Sequence, residues 1–279
     1  MAKVHHPTTT AHRRTARWLA AAAIGLFVAT PAAVAQTDYF NTDAGRPITV
    51  EDAYPIERRA LELQLAPLRV ERAAGGVYTW TLEPEIAWGI LPRTQVELGV
   101  PLAFRDHGLG ESTAGVAGID LGMLHNLNTE TSIPALAVAG ELLIPVGNLG
   151  PDMLFASARA IATKSFSFAR FHLNGQYTFG EEPDAGESIG IHEPSRWLAG
   201  IAVDRTFPLR ALLVTAEVVA RRPIIDDEDF LWDVGAGLRY QYDPRIALDA
   251  GIGRQLTGDE RTWSFTFGGA YAVGLSWYR

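Results

Sequence analysis

The sequence predicts an all-β fold, a transmembrane antiparallel up-and-down β-barrel of about twelve strands. Three observations lead to this prediction. Apolar and polar residues alternate with a period of two from about residue 56 onward, short and long connections alternate along the chain, and aromatic residues recur ten positions apart. A period of two indicates strands, because successive strand side chains point to opposite faces.

The first 35 residues have the layout of a secretory signal peptide. Four basic residues and no acidic residue precede the apolar run 19–29, and Ala33-Val34-Ala35 matches an A-x-A cleavage site. Removing residues 1–35 takes four basic residues from 24 and leaves 20 against 32 acidic ones, a net charge of −12. We therefore expect no nucleic-acid partner.

The mature chain is expected to begin with a polar, turn-rich segment, residues 36–55, that is either periplasmic or inserted into the barrel lumen. The barrel itself is assigned to residues 56–279. No later run of about 18 uninterrupted apolar residues predicts a transmembrane helix. The absence of cysteine excludes a disulfide scaffold and a cysteine-based metal or redox site.

The clearest strand signal is the stretch VYTWTLEPEIAWGI at residues 77–90. Its even positions are aromatic or aliphatic apart from Pro84, and its odd positions are small, polar or acidic. Glu83 and Glu85 therefore share a face and point away from the aromatic residues. Pro84 removes one ladder hydrogen bond, so a local bulge or distortion is expected there.

Four further segments show strong alternation, at 93–105, 166–180, 230–242 and 262–278. Weaker alternation is present near 57–72, 114–126, 132–146, 153–164, 196–206, 209–221 and 245–255. An even number of strands is typical of bacterial outer-membrane barrels.

The connections have a parity. Tight turns are predicted at Leu91-Pro92, Asn126–Glu130, Lys164-Ser165, Phe207-Pro208 and Asp243-Pro244. The alternate connections are mostly longer, at 106–113, 147–152, 181–195, 222–229 and 256–261; only Ala73–Gly76 is short where a long loop is expected. Short periplasmic turns and long extracellular loops characterise outer-membrane barrels.

Alternation alone does not distinguish this barrel from a soluble β-sandwich, jelly roll or lipocalin-like barrel, in which the apolar face is interior. The spacing of aromatic residues favours the membrane barrel. Ten strand residues rise roughly 33 Å, which at a tilt of about 40° spans the roughly 25 Å between aromatic girdles. The predicted girdle residues are Tyr78, Trp80, Trp88, Phe230, Trp232, Tyr240 and Tyr242.

The opposite face collects charged residues that would line the pore and select what passes. These candidates are Glu83, Glu85, Glu97, Asp120, Glu141, Arg159, Arg170, His172, Asp204, Glu217, Asp233, Arg239 and Asp249. They could equally close the lumen by pairing, since about twelve strands lie between a filled barrel and an open channel. Glu83 and Glu85 could share a proton, but we expect both to be ionised and paired with nearby arginines.

No catalytic, metal-binding or cofactor-binding residue is predicted. A lipid-acting enzyme would need a serine within hydrogen-bond reach of a histidine. None of His107, His125, His172 and His192 has a serine two positions away, although a pair between strands remains possible. The fragments Gly235-Ala236-Gly237 and Gly251-Ile252-Gly253 lie within strands and lack the context of a nucleotide-binding loop.

The segment 47–104, PITVEDAYPIERRALELQLAP followed by VYTWTLEPEIAWGILPRTQVELGVPLAF, resembles the predicted outer-membrane channel or transporter family associated with the meta-pathway of phenol degradation. The resemblance implies a transmembrane barrel for small molecules, including hydrophobic or aromatic compounds, and no site residues. The expected location is the bacterial outer membrane, and the expected partners are outer-membrane lipid, a small-molecule solute and the barrel insertion machinery. The terminal Arg279 departs from the aromatic end that this machinery commonly reads. An outer-membrane lipid-acting enzyme and a closed structural or adhesive barrel remain as alternatives.

Overall fold

The computed structural model describes residues 42–72, 76–106, 112–182, 190, 194–225, 230–258 and 261–274. The predicted signal peptide and the predicted C-terminal insertion signal lie outside these residues. The described chain is all-β. Within these residues, no helix is long and apolar enough to cross a membrane.

Fifteen strand segments make up the described part of the sheet. They are β1 (Ala60–Arg72), β2 (Tyr78–Leu82), β3 (Glu85–Leu91), β4 (Thr94–Gly99), β5 (Leu102–Asp106), β6 (Ser112–Val116), β7 (Ile119–Asn126), β8 (Ala135–Ile144), β9 (Phe155–Ser165), β10 (Arg170–Phe179), β11 (Ser195–Thr206), β12 (Leu212–Pro223), β13 (Leu231–Asp243), β14 (Ile246–Gln255) and β15 (Trp263–Gly274).

These segments form a closed antiparallel barrel of twelve strands, which confirms the predicted fold class. Each long strand from β8 to β15 pairs with its sequence neighbours, and β1 pairs with β15 to close the sheet. The segments β2 and β3 both pair with β1 and together make one barrel strand. In the same way β4 and β5, and β6 and β7, each make one strand.

The first four barrel strands are interrupted at neighbouring positions. The breaks fall at Glu83-Pro84, Val100-Pro101 and Ala117-Gly118, and β1 has a register shift between Leu65 and Leu68. Single backbone hydrogen bonds cross the breaks, because the amide of Val100 donates to Pro84 and the amide of Ala117 donates to Pro101. The expected distortion at Pro84 is therefore one of a row of irregularities in this part of the wall.

The two faces of the wall differ as the alternation predicts. Along β13, the outward residues Trp232, Leu238 and Tyr240 are exposed, whereas the inward Arg239 is 1% exposed. In β1 the extra residue at the register shift reverses the parity, so that Glu62 faces inward before it and Arg69 faces inward after it. The break at Pro84 leaves the parity of its own strand unchanged.

Most connections also alternate as expected. The connections after β3, β9, β11 and β13 are short, and the connection after β7 is longer, at 127–134. At the opposite end, 145–154 and 180–194 are the longest, whereas 73–77 and 107–111 are shorter than 127–134. One predicted turn is wrong, because Lys164 and Ser165 belong to β9 and the turn comprises residues 166–169. The phenylalanines of this turn pack together and extend the exposed apolar surface past the strand end.

Candidate functional site

The lumen at the short-turn end contains the segment 42–59, which precedes β1 and runs along the inner face of the wall. Its backbone amides bond to inward side chains because it has no strand partner there. Glu217 accepts hydrogen bonds from Thr49 and Val50 at 2.8–2.9 Å. The amide of Glu51 donates to Asn174 Oδ1 at 2.9 Å.

The rest of the segment is held in the same way. The amide of Ala53 donates to Thr163 Oγ1 at 3.0 Å, and its carbonyl accepts from Asn126 Nδ2 at 2.8 Å. The amide of Ile56 donates to Gln95 Oε1 at 2.7 Å. Side chains from β12 around to β4 thus replace the ladder hydrogen bonds that a strand would make.

Ion pairs reinforce these contacts. Asp43 of the segment bonds to Arg239 on β13 at 3.1 Å, and Glu51 bonds to Arg159 on β9 at 2.9 Å. Asp52 lies 4.0 Å from Arg170, which also makes a 2.7 Å contact with Asp204. Arg46 pairs with Asp43 within the segment at 2.9 Å and lies 4.0 Å from Asp249.

Burial changes the proton affinity of two carboxyls of the segment. Burial raises the pKa of Glu51 from 4.5 to about 8, against the lowering effect of Arg159. Burial also raises the pKa of Asp52 from 3.8 to about 6, although Arg170 and His172 act to lower it. The docked segment therefore binds protons more tightly than it would in water.

Apolar contacts and small residues complete the fit. Ile48 and Val50 pack against three residues of β11 and β12: Leu198, Ala202 and Val219. Ala53 packs against four residues of β7, β8 and β9: Leu124, Ala135, Ala137 and Ile161. A Cβ atom on Gly200 would lie 2.6 Å from Val50 Cγ2, and one on Gly237 would lie 2.6 Å from Pro47 Cγ. Inward glycines therefore let the segment approach the wall.

The lumen at the long-loop end is a cavity of about 830 Å³. Thr49 and Glu217 border its floor, where the segment begins to fill the barrel. Ionisable residues also lie on the remaining walls; these are Arg69, Glu71, Glu83, Arg105, Asp120, Glu141, Arg221, Asp233 and Arg254. The cavity is therefore wide enough for small molecules and strongly polar.

The predicted lumen residues divide between these two regions. Five border the cavity: Glu83, Asp120, Glu141, Glu217 and Asp233. Others lie in or beside the contacts of the segment: Arg159, Arg170, His172, Asp204, Arg239 and Asp249. Glu85 and Glu97 lie on neighbouring β3 and β4, where Gln95 donates a short hydrogen bond to Glu97. Among these predicted residues, Glu217 both borders the cavity and bonds to the segment.

The two described histidines, His125 and His172, do not form an accessible hydrolase site. His172 has a threonine on one side and a carboxylate on the other, with Thr163 Oγ1 at 3.0 Å and Asp204 Oδ2 at 3.0 Å. Thr163, His172 and Asp204 are all fully buried, and Thr163 also accepts a hydrogen bond from the amide of Ala53. His125 contacts Thr94. Neither of these two described histidines has a serine partner, and His107 and His192 lie outside the described residues.

The predicted girdle residues fall near the two ends of their strands. Tyr78, Trp80, Phe230 and Trp232 are exposed near the long-loop end, and Tyr240 and Tyr242 are exposed near the short-turn end. Trp88, close to the turn after β3, is half-buried.

Several contacts of the lumen were not predicted from the sequence. They involve the segment's Asp43 and Arg46, the wall residues Gln95, Asn126 and Thr163, and the cavity residues Arg69, Arg105 and Arg221. For the wall residues the available signal was the strand parity, which places polar side chains on the inner face. No group of metal ligands is present among the described residues.

Solved structures share the barrel. The COG4313 outer membrane channel from Pseudomonas putida F1 aligns with 11% identity and a TM-score of 0.57, over 83% of this chain and all of that one. The KdgM porin in complex with disordered oligogalacturonate aligns with 11% identity and a TM-score of 0.51, over 76% of this chain and 98% of that one. No family model and no curated protein matches the sequence. At this identity the likeness shows the fold.

Proposed function

We propose that the protein is an outer-membrane channel for passive passage of small molecules, and that the segment 42–59 controls its opening. The observation that carries this proposal is the division of the lumen into an 830 Å³ polar cavity and a floor made by a docked segment. A segment held by side-chain contacts can leave while every barrel ladder stays intact. A lumen closed by the wall itself would have no such movable part.

The outer surface supports placement in a membrane. Exposed aliphatic and aromatic side chains cover the outward face of the strands, which in water would be a large apolar surface. Aromatic residues lie near both strand ends, as in the girdles of outer-membrane barrels. We place the short connections and the segment in the periplasmic half and the cavity in the extracellular half, with insertion by the barrel insertion machinery.

The cavity lining favours small polar or charged solutes. Its walls carry both arginine and carboxylate side chains, which would leave an apolar molecule in contact with hydrated charges. The resemblance of residues 47–104 to the phenol-degradation channels implies aromatic or hydrophobic compounds. An aromatic molecule that carries a charged group would satisfy both the resemblance and the lining.

The experiment is conductance of the mature chain in planar bilayers, compared with a variant lacking residues 42–52 and with Glu217→Ala. The alanine leaves the buried amide of Val50 without an acceptor, at about 1–3 kcal/mol, and it also removes the acceptor of the half-buried amide of Thr49. The open fraction should therefore rise at least about tenfold. Deleting the segment should give the largest and least interrupted conductance.

The matched control is Glu141→Ala, which removes an exposed cavity carboxylate with no contact to the segment. It should alter ion selectivity and leave the open fraction unchanged. A deletion variant that inserts and folds yet never conducts would contradict the channel and favour a closed structural barrel. Release of fatty acid from lipid micelles by the folded protein would instead favour a lipid-acting enzyme.

A further inference from the structure

The outer face of the barrel carries an alternating row of aromatic and arginine side chains at the long-loop end. Arg72 on β1 pairs across the sheet with Tyr78 on one side and with Trp263 on the other. Trp263 pairs in turn with Arg254 on β14. Directly paired residues share one face of an antiparallel sheet, so Tyr78, Arg72, Trp263 and Arg254 form a continuous row, here called the rim row.

The rim row faces outward. Trp263 and Tyr78 are 38% and 36% exposed. The next outward pair toward the short-turn end, Val70 and Trp80, is part of the apolar outer surface. Arg254 also borders the rim of the cavity, but its guanidinium carbon lies 4.4 Å from the centre of the Trp263 ring, on the outer face.

Within the described residues, both guanidinium groups contact aromatic rings. Arg72 lies 5.6 Å from the centre of the Tyr78 ring, and such stacking leaves the N–H groups of an arginine free to bind a further group. Of the carboxylates in the described part of the chain, none forms an ion pair with Arg72 or Arg254. The nearest along the row is Asp106, opposite Tyr78 and two strands from Arg72.

The spacing and the depth of the row define the ligand. Arg72 and Arg254 are separated by two strand spacings, or about 10 Å. They lie at the level of aromatic residues that mark a membrane interface. In the orientation proposed above, the groups that meet this level are the phosphorylated sugars of the outer-leaflet glycolipid. Arginine binds phosphate through paired N–H donors.

We propose that the rim row is a binding site for the phosphate groups of the outer-leaflet glycolipid, with Arg72 and Arg254 as the phosphate ligands and Tyr78 and Trp263 holding them in place. The assignment rests on the proposed outer-membrane location and orientation. It does not depend on whether the lumen conducts. The site would fix the rotation and depth of this part of the barrel relative to the lipid.

The experiment is native mass spectrometry of the full mature protein in mild detergent, titrated with purified bisphosphoryl lipid A. The same lipid with both phosphates removed, and phosphatidylglycerol, serve as ligand controls. The wild type should bind bisphosphoryl lipid A at least about tenfold more tightly than either control lipid. The double variant R72Q/R254Q should lose most of this preference and keep the heat-modifiable gel mobility of a folded barrel.

Arg205→Gln is the matched control, because Arg205 is an exposed, outward arginine near the short-turn end of β11. It should retain the wild-type preference. An unchanged preference in the double variant overturns the site, as does an equal loss in Arg205→Gln. Equal binding of phosphatidylglycerol overturns the glycolipid assignment. If the barrel binds lipid A but never conducts, the proposed channel is wrong and the rim row is supported. If the barrel conducts but shows no preference for lipid A, the rim row is wrong and the channel is supported.

Discussion

Both halves of the lumen carry inward carboxylate and arginine side chains, but these side chains are buried in one half and partly exposed in the other. In the short-turn half, Asp204, Arg239 and Asp249 are each at most 2% exposed and face the docked segment or one another. In the long-loop half, Arg221 and Asp233 also pair, at 2.8 Å, but their side chains are 22% and 26% exposed. The same inward alternation thus produces a packed polar interior at one end and a water-accessible cavity at the other.

The difference follows from what fills the barrel. A buried charge needs a partner and hydrogen bonds, since its desolvation in the low-dielectric interior is costly. The segment 42–59 supplies such partners in the short-turn half, where its carboxylates and amides meet the wall. In the cavity the charges remain hydrated.

Removing Asp204 should have the largest effect on stability. Asp204→Ala leaves Arg170 and His172 facing a buried gap, and loss of one partner of a buried ion pair costs about 3–5 kcal/mol. Urea unfolding followed by gel mobility measures the change. The control, Asp233→Ala, breaks the half-exposed pair with Arg221 and should cost about 1 kcal/mol or less. Equal losses would contradict the division of the lumen.

A methyl group on Gly200 should weaken docking of the segment. In Gly200→Ala the new Cβ would lie 2.6 Å from Val50 Cγ2, and overpacking of this kind costs about 1–3 kcal/mol. The open fraction in planar bilayers should rise at least about tenfold. Gly175→Ala is the control, because its Cβ would meet nothing within 4 Å on the outer face. An unchanged open fraction in Gly200→Ala would show that the segment does not gate the lumen.

Opening should increase as the pH rises. Since burial raises the pKa of Glu51 from 4.5 to about 8, the docked state holds the proton more tightly than the released state does. Docking is therefore strongest below pH 3.8. Deprotonation of Glu51 weakens it as the pH rises from 4.5 to about 8, and Asp52 adds a smaller loss between 3.8 and about 6.

Conductance at pH 5 and pH 8 measures this dependence. Glu51→Gln should flatten it, even though Glu97, Asp43 and Asp52 still contribute to the local charge. A conductance that falls with rising pH would contradict the weaker docking expected as Glu51 and Asp52 lose their protons.

The smallest expected effect belongs to the cavity. Arg221→Gln removes an accessible positive charge next to Asp233, which should shift ion selectivity toward cations and change stability by less than about 1 kcal/mol. Reversal potentials in a salt gradient report the selectivity. A large loss of stability here would place Arg221 among the structural charges.

The sequence was sufficient for the wall. Alternation of the kind seen at Trp232, Leu238 and Tyr240 depends only on local geometry, so the strands, their parity and the outward aromatic face could be predicted. The row of breaks was only partly foreseen: Pro84 indicated one, whereas the register shift in β1 depends on pairing with two other strands.

The division of the lumen into a packed half and a cavity could not be predicted from strand alternation. Glu83 and Glu85 share a face, and parity cannot distinguish Glu83, which borders the cavity, from Glu85, which lies closer to the packed end. The contacts that decide this are long-range, such as the bond from Thr49 to Glu217, 168 residues apart. No periodic signal in the segment shows where it docks.

The docked segment also constrains the order in which the protein assembles. Pro47 accepts a hydrogen bond from Thr266, 219 residues further along the chain, and Asp43 forms an ion pair with Arg239 on β13. Contacts of such sequence separation carry a large loop-closure cost and form late. The chain that emerges first therefore finds its final position only when β12 to β15 are present, at about the stage when β15 meets β1. An assembly intermediate lacking these strands would have an unfilled lumen and a segment 42–59 accessible to protease from the short-turn side.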